Sequence, residues 1–271
     1  MISHLLKVAF KLLIIHVMNS YFGIPFEFNK EHVISTIEQR VADRSKGYIC
    51  VVDGNIISEV QLNPVYASII NTSLLNICDS SWAPIFIRWI HKARYESFTG
   101  DDLFIDLLSE RKYKSMFLGS TPEILENLKE KLKTIDPDIN EMIFLPLPFC
   151  TIDEFDYKGI AESINEVDPD LIWISLGAPK QEEFMSRLFT FVNRGIIIAV
   201  GAVFNYHSGY SEKKRAPAIF IKLKIEWFFR MVQEPKKNIS RVVRFLRTVP
   251  KLLISEFQRK HGNKSSDIEI N

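Results

Sequence analysis

Six short, continuously apolar runs lie between Gly47 and Gly201, and segments of helical length with mixed polarity separate them. Continuous rather than alternating hydrophobicity is typical of strands that are covered on both faces. The pattern therefore predicts an α/β fold with a doubly wound, mainly parallel sheet between two layers of helices. The predicted strands are 48–52, 74–78, 114–118, 142–145, 171–176 and 196–200.

Helical signals complete this picture and suggest domain boundaries. Ser120-Thr121-Pro122-Glu123 offers a capping residue, an early proline and an acid, and predicts a helix that runs to Leu132. After residue 217 the chain predicts two basic amphipathic helices, with Pro235 between them and a polar tail from residue 261. We expect an apolar N-terminal extension (1–18), an α/β core (19–211), a basic amphipathic appendage (212–260) and a polar tail (261–271).

The N-terminal extension is too short and too often interrupted by charge to cross a bilayer, which takes ~20 apolar residues. An interfacial helix and a segment packed on the core are both compatible with its pattern. It also lacks the small-residue cleavage site of a secretory signal.

Composition excludes several classes of protein. The 271 residues are 46% hydrophobic and 25% charged, which is typical of a globular chain and excludes disordered, collagen-like and coiled-coil classes. The three cysteines, Cys50, Cys78 and Cys150, are far apart in sequence. They fit neither a disulfide framework nor a zinc site, and they favour a reducing compartment.

The charge is distributed unevenly along the chain. There are 34 Lys and Arg residues against 33 acids overall, yet residues 213–260 hold 14 Lys and Arg and only three acids. The rest of the chain is therefore acidic, with 20 basic and 30 acidic residues. Such a basic segment favours phosphate ligands, whether on a nucleotide, a nucleic acid or an anionic lipid surface.

Ligands of open α/β sheets bind beyond the carboxyl ends of the strands. Asp79 ends a predicted strand there, and the residues alone leave two roles equally open: a general base and an N-cap of the helix that starts near Trp82. Asp53, Asp101 and Asp102 are more typical of turns or caps. His207 is interpreted as a solvated loop residue.

The chain contains no GxGxxG, Walker A, HExxH or GxSxG motif and no metal-spaced His/Cys cluster, which disfavours simple dehydrogenases and P-loop enzymes.

Several ordered segments together resemble the WecG/TagA/CpsF family of bacterial glycosyltransferases. Leu176-Gly177-Ala178-Pro179-Lys180-Gln181-Glu182 is similar to the family's LGxPKQE segment, and residues 200–217 to its VGxxFDxxxG…RAP block. Residues 226–235 resemble its ExxxR…EP segment, Gly23-Ile24-Pro25-Phe26 its early strand, and Thr99-Gly100-Asp101 its TG-acid turn. The resemblance covers about residues 19–237.

This resemblance implies an inverting, metal-independent transferase with a Rossmann-like core and no cofactor. It would move an N-acetylmannosamine-type, uronic or hexose sugar from a UDP-sugar to a polyprenyl-diphosphate-linked acceptor in surface polysaccharide synthesis. The expected location is cytoplasmic, on the inner face of the cytoplasmic membrane, with an anionic membrane surface as a partner, no nucleic acid, and a homo-oligomer left open.

The resemblance also implies a set of site residues. Asp79 matches the catalytic aspartate that deprotonates the acceptor hydroxyl. The expected substrate-binding residues are Asn55, Thr99, Gly100, Asp101, Gly119, Ser120, Gly177, Ala178, Pro179, Lys180, Gln181, Gly201, Phe204, Asn205, Arg215 and Arg230. Because no metal is expected, arginines of the appendage and helix N-termini would stabilise the departing diphosphate.

This sequence departs from the family pattern at four positions. Asp53 replaces a threonine, Ser80 a glycine, Ser97 an arginine, and Asn205 an aspartate. Two other classes remain as alternatives: a nucleic-acid-binding protein that uses the basic appendage, and a non-catalytic scaffold of a polysaccharide assembly complex. Turnover of a UDP-sugar with a lipid-linked acceptor distinguishes the three.

Overall fold

A six-stranded parallel sheet forms the centre of the molecule in the computed structural model, which describes residues 20–96, 98–209 and 235–266. In the last of these segments, side chains are described at 243, 244 and 247–260. The sheet contains β3 (Lys46–Val52), β4 (Leu75–Cys78), β5 (Ser115–Gly119), β6 (Ile143–Leu145), β7 (Leu171–Ser175) and β8 (Gly195–Ala199) in the order β4-β3-β8-β7-β5-β6. All five neighbouring pairs are parallel.

A short antiparallel hairpin precedes the sheet and adjoins its edge. The hairpin is formed by β1 (Ser20–Tyr21) and β2 (Ile24–Pro25). Just after it, Glu27 bridges Ile77 of the edge strand β4, and the Glu27 N–H donates to the Asn76 carbonyl at 2.8 Å. This segment therefore occupies hydrogen-bonding groups that an uncovered edge strand would leave open.

Helices cover both faces of the sheet. They are α1 (Lys30–Ala42), α2 (Gly54–Leu62), α3 (Pro64–Asn71), α4 (Ala83–His91), α5 (Gly100–Ser109), α6 (Pro122–Leu132), α7 (Tyr157–Val167), α8 (Lys180–Phe189), α9 (Val203–His207) and α10 (Pro235–Ser266). Two 3₁₀ turns, Pro137–Glu141 and Ile152–Glu154, lie in the connections.

Two hydrophobic clusters form the core, one on each face of the sheet. One cluster joins α2, α3, α4, α7 and α8 to the sheet, and Leu252 of α10 belongs to it. The other joins α1, α5, α6 and α9 to the opposite face. Within β3, Cys50 faces the first cluster and Ile49 the second, which explains why the strand sequences are continuously apolar.

The structure confirms the doubly wound α/β fold and all six predicted strands, with boundaries that differ by one or two residues. The predicted helix after Thr121 is α6, and Thr121 caps it. The expected N-terminal extension and the first basic helix of the appendage lie outside the described residues, and the division into core and appendage stays a prediction.

One local expectation is wrong. His207 ends the short helix α9 instead of lying in a loop. Helix α10 continues to Ser266, so the first residues of the expected polar tail are helical. Just before them, Arg259 donates to the Ser20 carbonyl and Lys260 to the Ile90 carbonyl.

Candidate active site

The residues that follow the carboxyl ends of the strands form one edge of the sheet, which we call the rim. Asp79 follows β4, Asp53 follows β3, Gly201 lies beyond β8, Gly177 beyond β7, and Gly119 ends β5. Neighbouring strands lie ~4.8 Å apart, so these turns make a continuous surface. The strand order places most of the predicted site residues along this surface or directly beneath it.

Asp79 is half-buried at the β4 end of the rim. Its backbone N–H donates to the Val52 carbonyl at 2.9 Å, which holds Asp79 beside the end of β3. The N-cap of α4 is Trp82. The Ala83 N–H donates to Ser80 Oγ at 3.3 Å. Asp79 is therefore not the N-cap residue of this helix, and its role as a base stays a prediction.

The neighbouring turn holds Asn55 at the start of α2. Asp53 caps this helix, because its Oδ1 accepts the N–H groups of Asn55 and Ile56, both at 2.9 Å. This confirms the interpretation of Asp53 as a cap. Asn55 Oδ1 in turn accepts a 3.3 Å hydrogen bond from Arg244 of α10, whose guanidinium also pairs with Glu59 at 2.5 Å. A basic-appendage arginine is thus present beside the rim.

Helix α10 is held against the core by buried polar contacts. Near Arg244, Thr248 Oγ1 and Ser58 Oγ share a 3.0 Å hydrogen bond. Further along, the buried Glu256 accepts from the Phe22 N–H at 2.9 Å and from Arg259 at 2.6 Å. Glu256 also lies 2.8 Å from His91 Nε2. These contacts fix the distance between α10 and the rim.

The TG-acid turn caps α5. Thr99 and Asp102 form a reciprocal capping box, with Oγ1 of Thr99 accepting from the Asp102 N–H at 3.0 Å and Asp102 accepting from the Thr99 N–H at 2.8 Å. This confirms the cap role of Asp102. Gly100 packs on β3, because a Cβ there would lie 2.9 Å from Val51 Cγ1. Asp101 shares a 2.5 Å hydrogen bond with His207, which connects α5 to α9.

The turn between β7 and α8 is held by hydrogen bonds from the backbone and from side chains. Gly177 adopts φ +81°, and the Ala178–Pro179 peptide bond is cis. The Gly177 N–H donates to Gln181 Oε1 at 3.1 Å. Lys180 donates to the Cys150 carbonyl, and its ammonium lies 4.7 Å from the centre of the Phe155 ring.

Beneath this turn lies a buried acidic group that the sequence did not indicate. Glu182 is fully buried, and its two oxygens accept from Gln181 Nε2 at 2.8 Å and from the Tyr66 hydroxyl at 2.9 Å. Burial raises the pKa of Glu182 to about 8, because the charged form loses its hydration. Burial also raises the pKa of Tyr66, so that phenol stays protonated.

The remaining predicted residues divide between rim and core. Gly119 has φ +110°, and its α-carbon packs so closely on β7 that an added Cβ would lie 2.5 Å from the Ser175 carbonyl oxygen. Ser120 follows it on the rim with φ +64°. Phe204 is fully buried among aromatic rings of the core, which is a packing position. Asn205 has a buried Oδ1 that lacks a hydrogen-bond partner among the described residues.

Two side chains that the sequence motifs did not indicate, Phe149 and Glu59, lie beside predicted site residues. Phe149, in the loop after β6, is fully exposed, and the Lys180 ammonium lies 5.8 Å from the centre of its ring. Glu59 pairs with Arg244 as described above. The Pro146-Leu147-Pro148-Phe149 sequence marks a loop that carries an aromatic residue, whereas nothing local indicates the partner of Glu59. Arg215, Arg230 and Ser97 lie outside the described residues.

Within the described segments, no group of three or more His, Cys, Asp or Glu side chains is arranged to hold a metal ion. None of the helices in those segments combines the length and the hydropathy that crossing a bilayer requires.

Comparisons with known proteins agree with this geometry. The model of the WecG/TagA/CpsF glycosyl transferase family matches residues 19–265. Similar proteins include an N-acetylglucosaminyldiphosphoundecaprenol N-acetyl-beta-D-mannosaminyltransferase of Bacillus spizizenii, 26% identical over 75% of this chain and 78% of the relative. Proteins of the same name from Bacillus subtilis and Staphylococcus aureus are each 25% identical, over 88% and 76% of this chain and 92% and 80% of their own lengths.

Proposed function

This chain belongs to the WecG/TagA/CpsF family of glycosyl transferases, and from that premise we propose that it moves a sugar from a UDP-sugar to a sugar carried on polyprenyl diphosphate. One observation supports this assignment above the others. Asp79 stands at a strand end without serving as a helix cap, and the adjoining turn is contacted by Arg244 from the basic helix α10. A candidate base and a candidate diphosphate-binding cation therefore occupy neighbouring turns of one rim.

The proposed reaction is a single displacement with inversion. The Asp79 carboxylate accepts the proton of the acceptor hydroxyl, and that oxygen forms a bond to the anomeric carbon. The bond between this carbon and the β-phosphate oxygen breaks, and UDP leaves with the electron pair. Arg244, with Arg215 and Arg230, would offset the negative charge that grows on the diphosphate.

The relatives support a particular acceptor and donor. Their names specify an N-acetylglucosamine-diphosphoundecaprenol acceptor and a β-linked N-acetylmannosaminyl product. We propose the same acceptor class here and an N-acetylmannosamine-type donor as the first to test. A β-linked product from an α-linked UDP-sugar agrees with inversion.

A turnover assay tests the proposal. The full chain is incubated with UDP-N-acetylmannosamine, UDP-N-acetylglucosamine, UDP-glucose or a UDP-hexuronic acid and a short polyprenyl-diphosphate-N-acetylglucosamine. Released UDP and the disaccharide lipid are measured, and we expect turnover with one donor. Turnover with none of them, together with no UDP binding, would instead support a scaffold.

The base is assigned by a matched pair of variants. Asp79→Asn should keep UDP binding and lower kcat by roughly 10²–10⁴-fold, the usual contribution of a general base. Asp53→Asn preserves the N-cap, because asparagine caps as well as aspartate. It should change kcat by less than ~10-fold, a change worth about 1.4 kcal/mol. An equal loss in both variants would remove the base role from Asp79.

We further propose that α10 and α4 face the membrane that holds the lipid acceptor. On α10 the side chains of Val243, Ile254 and Phe257 are exposed, although Val249 and Leu252 on the same helix are buried. Ile85 and Trp89 are exposed on the adjoining helix α4. Exposed apolar residues flanked by the exposed cations Arg247 and Lys251 are typical of a surface that binds anionic lipid.

Point substitutions test this surface better than truncation, because α10 also contributes Leu252 and Glu256 to the interior. Ile254→Ser combined with Phe257→Ser should lower binding to phosphatidylglycerol-containing vesicles at least ~10-fold, since each removes buried apolar area on the lipid. Val65→Ser, at a position 73% exposed on α3, is the control. Equal vesicle binding by all three proteins would refute the membrane role of α10.

A further inference from the structure

Glu182 has no role in the reaction as proposed above, although its contacts extend to the rim. A continuous chain of hydrogen bonds leads from Tyr66 on α3 through Glu182 and Gln181 on α8 to the Gly177 N–H. Gln181 is only 3% exposed, so its carboxamide is fixed by this chain and not by water. The chain ends at a residue with φ +81° at the turn after β7.

The direction of these bonds is determined by chemistry. A backbone N–H can only donate, so Gln181 must present Oε1 to Gly177. Its Nε2 must then point inward, where only an acceptor can satisfy it, and Glu182 Oε1 is that acceptor at 2.8 Å. Without an acceptor at residue 182, a buried amide donor would be left unpaired, which destabilises this arrangement of the turn.

We propose that Glu182 is a positioning residue, which orients the Gln181 carboxamide and through it fixes the Gly177 turn of the rim for sugar-nucleotide binding. The inference rests on the proposed function, because it assumes that this turn binds the donor. Gly201 lies beside the same carboxamide, since a Cβ there would be 3.9 Å from Gln181 Oε1. Glu182 therefore supports the turns after both β7 and β8.

Burial keeps the carboxyl group of Glu182 neutral, because it outweighs the hydrogen bonds from Gln181 and Tyr66, which favour the charged form and lower the pKa. Asp53 from the start of α2, Tyr66 from α3 and Cys50 from β3 are the titratable groups that act on it, and none is basic. The strands β7 and β8 contribute no titratable side chain. On the outer side of α8, the Arg187 side chain pairs with Asp153 and lies over the ring of Tyr157. Glu154 there accepts a hydrogen bond from the Thr151 hydroxyl.

Loss of this proton would introduce a negative charge beneath the rim that no neighbouring cation among these groups offsets. A UDP-sugar carries its own negative charge, so we expect KM for the donor to rise above about pH 8, where burial has placed the pKa of Glu182. The same proton also makes the stability of the protein depend on pH, over the range below that pKa. Between pH 4.5 and 8 the unfolded chain has lost this proton while the native protein retains it, so the free energy of unfolding falls by ~1.4 kcal/mol per pH unit.

Three substitutions separate positioning from packing. Glu182→Gln keeps an acceptor for Gln181 and stays neutral, so kcat should remain within ~3-fold of wild type and the rise of KM above pH 8 should disappear. Glu182→Leu fills the space without an acceptor and should lower kcat/KM on the order of 10²-fold, the effect of a misplaced binding turn. Tyr66→Phe removes a bond that lowers the pKa of Glu182 and should move the rise of KM to higher pH.

Urea unfolding of wild type and Glu182→Gln from pH 5 to 8.5 gives a readout that needs no activity. We expect wild type to lose stability as pH rises and the variant to lose much less. Parallel stability curves would overturn the inference, as would an unchanged KM profile in Glu182→Gln or wild-type kinetics in Glu182→Leu. Absence of turnover in wild type, combined with divergent stability curves, would refute the proposed function and leave the neutral buried carboxyl established.

Discussion

Replacing Glu256 with alanine should destabilise the protein strongly, although this residue is on a basic, partly exposed helix. Its carboxylate is only 3% exposed and accepts hydrogen bonds from the Phe22 N–H and Arg259, and it lies 2.8 Å from His91 Nε2. The substitution leaves the buried Phe22 N–H unpaired at a cost of ~1–3 kcal/mol. One buried methylene group, Cγ, is lost as well, at ~0.8 kcal/mol.

Together these effects predict a loss of ~2–4 kcal/mol in the free energy of unfolding, with a fall in Tm of roughly 2–4 °C per kcal/mol for a chain slightly larger than 250 residues. Urea unfolding followed by tryptophan fluorescence measures the change, and an unchanged m-value shows that the transition remains comparable. Glu256→Gln keeps an acceptor for Phe22 and should lose only ~1 kcal/mol.

Arg259→Gln is the control, because it removes a partner of the same carboxylate from the solvent side, together with the exposed bond from Arg259 to the Ser20 carbonyl. The Arg259 side chain is 41% exposed, so its pair with Glu256 is screened and should contribute less than ~1 kcal/mol. If Glu256→Ala costs no more than Arg259→Gln, the buried bond to Phe22 does not anchor α10, and the explanation given for its position fails.

Three further predictions follow from the rim and its caps. Gly119→Ala should lower the free energy of unfolding by ~2–3 kcal/mol, because its Cβ would lie 2.5 Å from the Ser175 carbonyl oxygen. Gly177→Ala has open space around the new methyl group and should cost only ~1–2 kcal/mol of backbone strain. Equal losses would contradict the close packing of β5 on β7. Thr99→Ala should lower the free energy of unfolding by ~1 kcal/mol through loss of the capping box, and Thr99→Ser should restore it, while an unchanged urea midpoint in Thr99→Ala would argue against the cap. Dialysis against EDTA should leave turnover unchanged, and a loss that Mg²⁺ or Mn²⁺ reverses would show that the transferase requires a metal.

The sequence was sufficient to predict the sheet and the location of the rim. Continuous apolar runs such as Ile196–Val200 are buried on both faces, so their hydrophobicity reports strand position directly. Glycines at the strand ends marked the turns, the end of a predicted strand marked Asp79, and the resemblance implied a catalytic role for it. The residues alone left open whether Asp79 caps α4, and only the structure shows that Trp82 occupies the N-cap, while the base role of Asp79 stays a prediction.

Other parts of the site depend on contacts between distant segments, which local patterns do not contain. Tyr66 and Glu182 are 116 positions apart, and Arg244 and Asn55 are 189 apart. A glutamate in a polar motif is expected to be exposed to solvent. Packing by α3 and β3 buries Glu182 instead, and this burial keeps its carboxyl group neutral. His207 was misassigned for a different reason, because a five-residue helix is too short to show periodicity.

The bond between Phe22 and Glu256 joins positions 234 residues apart in the chain. During translation the N-terminal hairpin emerges long before its partner, and the whole parallel sheet is synthesised in the interval. The core can therefore assemble while its α2 and α4 surfaces are still uncovered, and Arg244 reaches Asn55 only after α10 has been made. A ribosome-bound chain that ends before α10 would thus lack the contact between Arg244 and Asn55, so under the function proposed above we expect activity to begin only when this helix is complete.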